Sequence, residues 1–276
     1  MKHNYPANLL PQPLVKLRLP VLTVLTVLTL GFVTVAHADE GIEPNYSLAY
    51  NLGALSDYRV RGIDQTSGDP AIQGGIDFTT KLGVYLGTAL SNQKWVKTLN
   101  GATQGSTEVD LYGGYRAQIP DSNFSYDVGV INYRYPGNNS GVAGVFPAGT
   151  FSNADTVEVY GNLTYGIYTL KYNRSVGDFL GNLNSSGSQY FDLSAAVDLT
   201  NGFTLIPHVG HQLIPNQIGN EGNYSDISLT LSKDFGNGMT ATLAAIATNA
   251  NKVFYTDING RYLANNVLVA GIRYSF

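Results

Sequence analysis

The sequence contains no cysteine and few charged residues. The absence of Cys excludes disulfide frameworks, cysteine metal sites and thiol nucleophiles. Charged residues make up 13% of the chain, against about 25% in a typical soluble domain, which argues against an ordinary cytosolic surface. The 16 basic residues are outnumbered by 20 acidic ones, so we expect no nucleic-acid partner. Beyond residue 38 no apolar run reaches the length of about 18 residues that a spanning helix needs.

The first 38 residues have the features of a secretory signal peptide. Three basic residues precede an apolar run at 19–35, which ends in the small-x-small sequence Ala36-His37-Ala38. We predict a signal peptide at 1–38 and an exported domain at 39–276. A membrane anchor is the alternative, because the apolar run is almost long enough to span a bilayer.

From Asn45 onward the sequence alternates between apolar and polar residues. In the first segment Tyr46 and Leu48 lie on one face, and Ser47 and Ala49 lie on the other. A period of two is typical of a strand with one apolar side. Twelve such strands are predicted, at 45–55, 70–80, 82–92, 106–117, 123–135, 155–165, 167–175, 189–199, 202–213, 223–234, 238–249 and 262–276.

The predicted connections alternate between tight turns and long loops rich in Asn, Gly and Ser. Transmembrane barrels have this asymmetry, with short turns on the periplasmic side and long loops outside. Strands can cross lipid only in a closed barrel, because every backbone N–H and C=O needs a protein partner there. We therefore predict an all-β fold, a transmembrane antiparallel up-and-down β-barrel of about 12 strands in the cell outer membrane.

A soluble β-sandwich is the alternative fold. Its solvent face would carry Lys, Glu and Arg, whereas the polar face here carries mainly Ser, Thr, Asn, Gly and Tyr. The last segment ends on Phe276, with Tyr274 and Ile272 on one face. That arrangement resembles the signal read by the barrel assembly machinery. We expect this machinery and outer-membrane lipid as partners.

If the apolar face meets lipid, the charged residues of the other face line the interior. They either form a network that fills the lumen, because unpaired buried charge is costly, or line a narrow water path that selects solutes. Twelve strands lie between the filled eight-stranded barrel and the open sixteen-stranded one, so we expect a narrow, constricted pore and leave open whether a loop folds inward. The candidate pore-lining residues are Arg59, Arg61, Asp77, Glu108, Asp110, Arg116, Glu158, Lys171, Asp192, Asp226 and Arg273.

Arg59 and Arg61 form the most concentrated cationic feature. They continue the inward face of the first strand if that strand runs past Leu55. Two roles are open for the pair. They could attract anions at the mouth of the pore, or they could pair with acidic residues across the lumen.

Several sequence blocks resemble a known family. They are SDYRVRGI at 56–63, QT at 65–66, PA at 70–71, QGG at 73–75, SN at 91–92, EVDLYGGY at 108–115 and YDVGV at 126–130. In this order they resemble the signature of the TorF-type porins, the Gcw_chp family of proteobacteria. The resemblance implies an outer-membrane barrel and says little about the solute.

No catalytic constellation emerges from the sequence. Only His208 and His211 follow the signal segment, and a spacing of three places them on opposite faces of a strand. Glu108 and Asp110 project to one side, as glycosidase carboxylates do, but barrels use such residues in lumen ion pairs. We predict that the protein is not an enzyme and needs no cofactor and no metal.

The function predicted is a porin, a passive diffusion channel for small hydrophilic solutes. The loops at 135–153 and 175–187 match no motif, and solute preference would reside there. The alternative is a non-conducting structural or adhesive barrel whose long extracellular loops bind a partner. We expect a monomer, because most trimeric porins have more strands.

Overall fold

The computed structural model describes residues 45–142 and 144–276. The predicted signal peptide at 1–38 lies outside the described residues. Within them, the barrel strands are β1 (Tyr46–Leu55), β2 (Ala71–Thr80), β3 (Val84–Asn92), β4 (Thr107–Gln118), β5 (Phe124–Arg134), β6 (Thr156–Tyr165), β7 (Tyr168–Ser175), β8 (Gln189–Ala195), β9 (Phe203–Leu213), β10 (Tyr224–Gly236), β11 (Met239–Thr248) and β12 (Val267–Ser275). After Ala196, β8 resumes as Val197–Asp198. The helices are α1 (Trp95–Thr98) and a 3-10 turn at Ile218–Asn220.

The twelve strands form one closed antiparallel barrel. Each strand pairs with its neighbours in sequence, and β12 pairs with β1, from Asn51 opposite Ser275 to Leu55 opposite Gly271. Closure leaves no unpaired sheet edge, which is the condition for a strand to cross lipid. The predicted all-β barrel of 12 strands is confirmed. No helix among the described residues is long and apolar enough to cross a membrane.

Turns and loops separate to the two ends of the barrel, as predicted. The turns at one end are 81–83, 119–123, 166–167, 199–202 and 237–238. The loops at the other end are L1 (56–70), L2 (93–106), L3 (135–155), L4 (176–188), L5 (214–223) and L6 (249–266). One tight turn depends on Gly83, which has a φ of 93°. A Cβ there would lie 2.1 Å from the carbonyl oxygen of Arg116, so no other residue fits without distortion.

The outer face of the barrel is apolar, with aromatic rings at the turn end. Leu52, Leu86 and Leu268 are more than half exposed on this face. At the turn end the rings pair across neighbouring strands, with centroids 5.5 Å apart for Tyr46 and Phe78 and 4.6 Å apart for Phe124 and Tyr165. An apolar band with an aromatic girdle is the outer surface of a barrel that sits in a bilayer.

Two neighbouring residues of β10 test which face meets lipid. Leu229 lies on the outer face and is 48% exposed, whereas Thr230 is half-buried on the opposite face. Leu229→Arg is expected to lower the free energy of unfolding by about 2–4 kcal/mol, the cost of an Arg near the bilayer midplane. Thr230→Arg is the matched control and is expected to cost far less. Urea unfolding of the refolded protein in lipid vesicles measures both, and equal losses would contradict the assignment.

The last strand begins at Val267, so the predicted start at residue 262 was wrong. Residues 262–266 belong to L6, where Leu263 and Ala264 are both buried. The hydroxyl of Tyr262 donates to the carbonyl of Ala250 at 2.6 Å. Two adjacent buried side chains cannot lie on a strand with one apolar face, because successive side chains point to opposite sides.

Candidate functional site

L1 folds into the bore of the barrel and contacts several walls. The Tyr58 hydroxyl donates to Glu108 on β4 at 2.7 Å. The Arg61 guanidinium donates to Glu158 on β6 at 2.6 Å and to Gln212 on β9 at 2.7 Å. A single loop thus joins strands on different sides of the barrel. We call residues 57–66 of this loop the L1 plug.

A small hairpin gives the L1 plug its shape. Arg59–Val60 pairs with Ile63–Asp64, and Arg61 and Gly62 form the turn with φ of 50° and 79°. Two consecutive positive φ values are typical of the two-residue turn that matches strand twist. Glycine also fits position 62 because a Cβ there would lie 2.7 Å from the Cγ2 of Thr248 on β11.

Arg59 holds the base of the plug together. Its guanidinium contacts Asp57 at 2.7 Å and Asp64 at 3.7 Å, and it donates to the carbonyl of Leu263 in L6 at 2.8 Å. Burial raises the pKa of Asp57 to about 6, and the hydrogen bond from Arg59 only partly offsets that effect. The plug is therefore fixed by ion pairs within L1 as well as by contacts with the walls.

The loop-side half of the bore is closed and rich in carboxylates. Wall carboxylates that are at most 5% exposed are Glu108, Asp110, Glu158, Asp192 and Asp226. Glu158 also accepts from the Asn173 amide at 3.0 Å. Tyr190 donates to Asp226 at 3.1 Å. The carboxylates, the surrounding tyrosines and the plug fill this half of the lumen.

The turn-side half of the bore is less deeply buried and carries charges of both signs. Arg116, Arg273 and Asp127 are partly exposed there, whereas Lys171 lies at mid-height, directly opposite Asp192 in the ladder between β7 and β8. The Arg116 guanidinium lies 4.2 Å from the centre of the Tyr85 ring. The Tyr85 hydroxyl donates to Asp127 at 2.5 Å. This half is therefore less tightly filled than the loop-side half.

Asp77 lies near the open half but is 8% exposed. It accepts a hydrogen bond from the Tyr112 hydroxyl at 2.6 Å. Its carboxylate is therefore engaged within the wall and contributes less to the accessible lumen than Arg116 and Arg273 do.

The charged residues predicted from strand parity face the interior, whereas Arg59 and Arg61 do not continue a strand. β1 ends at Leu55, and both arginines lie in the plug. Arg61 pairs across the lumen with Glu158, whereas Arg59 pairs with Asp57 and Asp64 inside the plug, so the geometry favours pairing with acidic residues over attraction of anions at the mouth. Parity could also have identified the uncharged partner Gln212, which shares the inward face of β9 with His208 and which a search for charge passes over.

The two histidines lie on opposite faces of β9, as predicted. His208 faces the lumen, 3.1 Å from Asp192 and 3.6 Å from Asp226. His211 faces outward, with its imidazole 2.9 Å from the hydroxyl of Ser225. Among the described residues, no cluster of three metal-ligating side chains is present.

Above the plug, the loops enclose a cavity of about 460 Å³. All six loops L1 to L6 contribute residues to its wall, and Arg61 of the plug lies at its floor. We call this space the vestibule. It lies on the loop side of the closed half of the bore.

Together, a closed antiparallel barrel, an apolar outer face, short turns at one end and long loops at the other define an outer-membrane β-barrel. The chain belongs to the Gcw_chp family, described as a bacterial protein of unknown function, whose model matches residues 39–276. The family predicted from the sequence blocks is confirmed. No curated protein matches the sequence.

Several solved outer-membrane structures are similar to this chain. The KdgM porin in complex with disordered oligogalacturonate is 8% identical, with 83% of this chain and 98% of that chain covered and a TM-score of 0.48. The NanC porin is 10% identical, with the same coverage and a TM-score of 0.47. The COG4313 outer membrane channel from Pseudomonas putida F1 is 11% identical, with 88% and 99% covered and a TM-score of 0.46.

Proposed function

We propose that the protein is an outer-membrane channel for the passive diffusion of small hydrophilic solutes, closed at its loop side by the L1 plug. The observation that carries this proposal is the set of partly exposed charged side chains on the turn side of the lumen. Charged groups keep such exposure where water reaches them, because burying them away from water is costly. Passage requires the plug to move, because its side chains bridge the walls of the bore.

The non-conducting barrel is the second candidate, and the filled loop-side half favours it. Planar-bilayer recording of the refolded protein separates the two functions. Stepwise currents support the channel. A tight seal, kept after L1 has been shortened, contradicts the channel and supports the non-conducting barrel.

The lumen cations Arg116, Lys171 and Arg273 are expected to raise the permeability of the channel to anions. Replacing Lys171 and Arg273 by Gln removes two of them and should lower the ratio of chloride to potassium permeability about twofold or more, because charge in a narrow pore controls selectivity. The matched control is Arg134→Gln. Arg134 is exposed at the end of β5 and pairs with Asp155 outside the bore. Reversal potentials in a salt gradient measure all variants, and an unchanged ratio in the double variant would remove the proposed role.

A further inference from the structure

The vestibule has the dimensions of a small-molecule site. Its volume of about 460 Å³ falls within the range of about 300–1,000 Å³ found for ligand pockets. Because every loop from L1 to L6 contributes to its wall, a molecule inside would contact the whole extracellular end of the barrel. A concave space of this size is typical of a ligand-binding site.

The wall of the vestibule is aromatic and almost free of charge. Phe146, Phe151 and Phe254 line it and are half-buried. Among the lining residues Arg61 alone is charged. Its guanidinium pairs with Glu158 and lies 4.5 Å from the centre of the Tyr190 ring, so its charge is already compensated. These surroundings favour a neutral molecule with an aromatic ring. The ring packs against the phenylalanine rings, whereas a charged ligand would find no oppositely charged group in the wall that is still available to pair with it.

Six of the polar side chains of the wall are carboxamides, and the nitrogen atoms of three of them hold the loops together. The side-chain nitrogen of Asn100 donates to the carbonyl of Leu180, and that of Asn216 donates to the carbonyl of Asn184. Gln217 donates in the same way to the carbonyl of Leu183 at 3.1 Å. Each amide keeps its oxygen as an acceptor. A ligand that matches the wall therefore carries hydrogen-bond donors.

We propose that the vestibule binds a neutral, hydroxylated aromatic molecule of the phenol class, and that this molecule is the solute of the channel. The second half of this statement rests on the proposed function, whereas binding in the vestibule does not. The ring packs among the phenylalanines, and its hydroxyl groups donate to the amide oxygens. The solute then lies directly above Arg61, the residue that joins the plug to the walls.

Trp95 provides the test. It is the only tryptophan of the chain, and it lines the vestibule. Titrating the folded protein in detergent with 4-hydroxybenzyl alcohol, under excitation selective for indole, is expected to give a saturable change in Trp95 emission. Glucose, which has hydroxyls and no ring, and benzoate, which has a ring and a negative charge, should bind at least several-fold more weakly.

Two variants locate the binding. Phe254→Ala removes one ring of the wall and is expected to raise the dissociation constant several-fold. Phe203→Ala is the matched control, because Phe203 lies on the outer face at the turn end and should leave the constant unchanged. Retention of the folded, heat-modifiable band on unboiled gels establishes that each variant is folded. Isothermal titration calorimetry repeats the measurement without the fluorophore.

The outcomes separate this proposal from the channel itself. No saturable signal by either method, equal affinity for glucose, or equal weakening in Phe254→Ala and Phe203→Ala would overturn the binding site. Saturable binding in a protein that never conducts would keep the site and overturn the channel. Conductance without saturable binding would keep the channel and overturn the binding site.

Discussion

Single-channel conductance is expected to rise several-fold when L1 is replaced by a two-residue Asn-Gly turn. Leu55 and Ala71 are directly paired in the ladder between β1 and β2, and Asn-Gly is the turn that closes such a hairpin best. The deletion removes Tyr58 and Arg61, which bridge the walls of the bore. Water then fills the space and hydrates Glu108 and the other wall carboxylates. Planar-bilayer recording of both proteins measures the change.

A reversible tether supplies the control, because the chain has no cysteine of its own. The Cβ of a residue at position 62 would lie 3.7 Å from the Cβ of Thr248, close to the mean of about 3.8 Å in disulfides. Gly62→Cys with Thr248→Cys should therefore cross-link the plug to β11. Positive φ at position 62 costs a side chain about 1–2 kcal/mol, which the cross-link can offset.

The cross-linked protein is expected to stay closed, and reduction should restore conductance. Steady currents through the oxidised protein would contradict a plug that must move. Unchanged conductance in the L1-shortened barrel, with a heat-modifiable band retained, would contradict a plug that blocks.

The second large effect is expected from Arg61→Met. This change leaves Glu158, which has no exposure, without its cationic partner. Breaking a buried ion pair from one side costs roughly 3–5 kcal/mol, and here the barrel can avoid that cost by releasing the plug and hydrating the carboxylate. The closed-to-open ratio should therefore fall by about a hundredfold or more, since 1.4 kcal/mol corresponds to tenfold. Open-channel occupancy in bilayers measures the ratio.

A double-mutant cycle isolates the pair. Adding Glu158→Gln to Arg61→Met removes the buried charge and is expected to recover part of the closed state, so the two changes should not be additive. Arg134→Gln breaks an exposed pair with Asp155 and should have little effect, because such pairs contribute about 0–1 kcal/mol. Strict additivity of the first two changes would show that Arg61 and Glu158 do not hold the plug.

The barrel was predictable from sequence because its determinants are local. Alternation along each strand and the length of each connection lie within a few residues of chain. The prediction was wrong for residues 262–266. Tyr262, Leu263 and Ala264 continue the apolar pattern of the strand in the sequence, but their side chains pack among the loops. Packing against L1 decides that segment, and its partners there are about two hundred residues away in sequence.

The wall residues of the site were predictable from the sequence, whereas the position of the plug was not. Parity alone assigns Asp110 or Lys171 to the interior. The position of Arg61 depends on Glu158 and Gln212, which are 97 and 151 residues away, and no local pattern encodes contacts of that range. For the same reason the sequence does not show that the loop-side half of the lumen is filled and the turn-side half less so. The vestibule is formed by residues of six separate loops, so it can be recognised only in the folded structure.

The seam between β1 and β12 imposes an order on folding. Asn51 and Ser275 meet there, so the hydrogen-bonded cylinder cannot close until the last strand has been synthesised and exported. During that interval the L1 plug, which precedes every wall that it contacts, has none of its long-range partners. Pairing of β1 with β12 is therefore also the step that encloses the plug. If the strands pair around a misplaced L1, the product is a kinetically trapped barrel. Such a barrel would have the native strand content and an altered permeability.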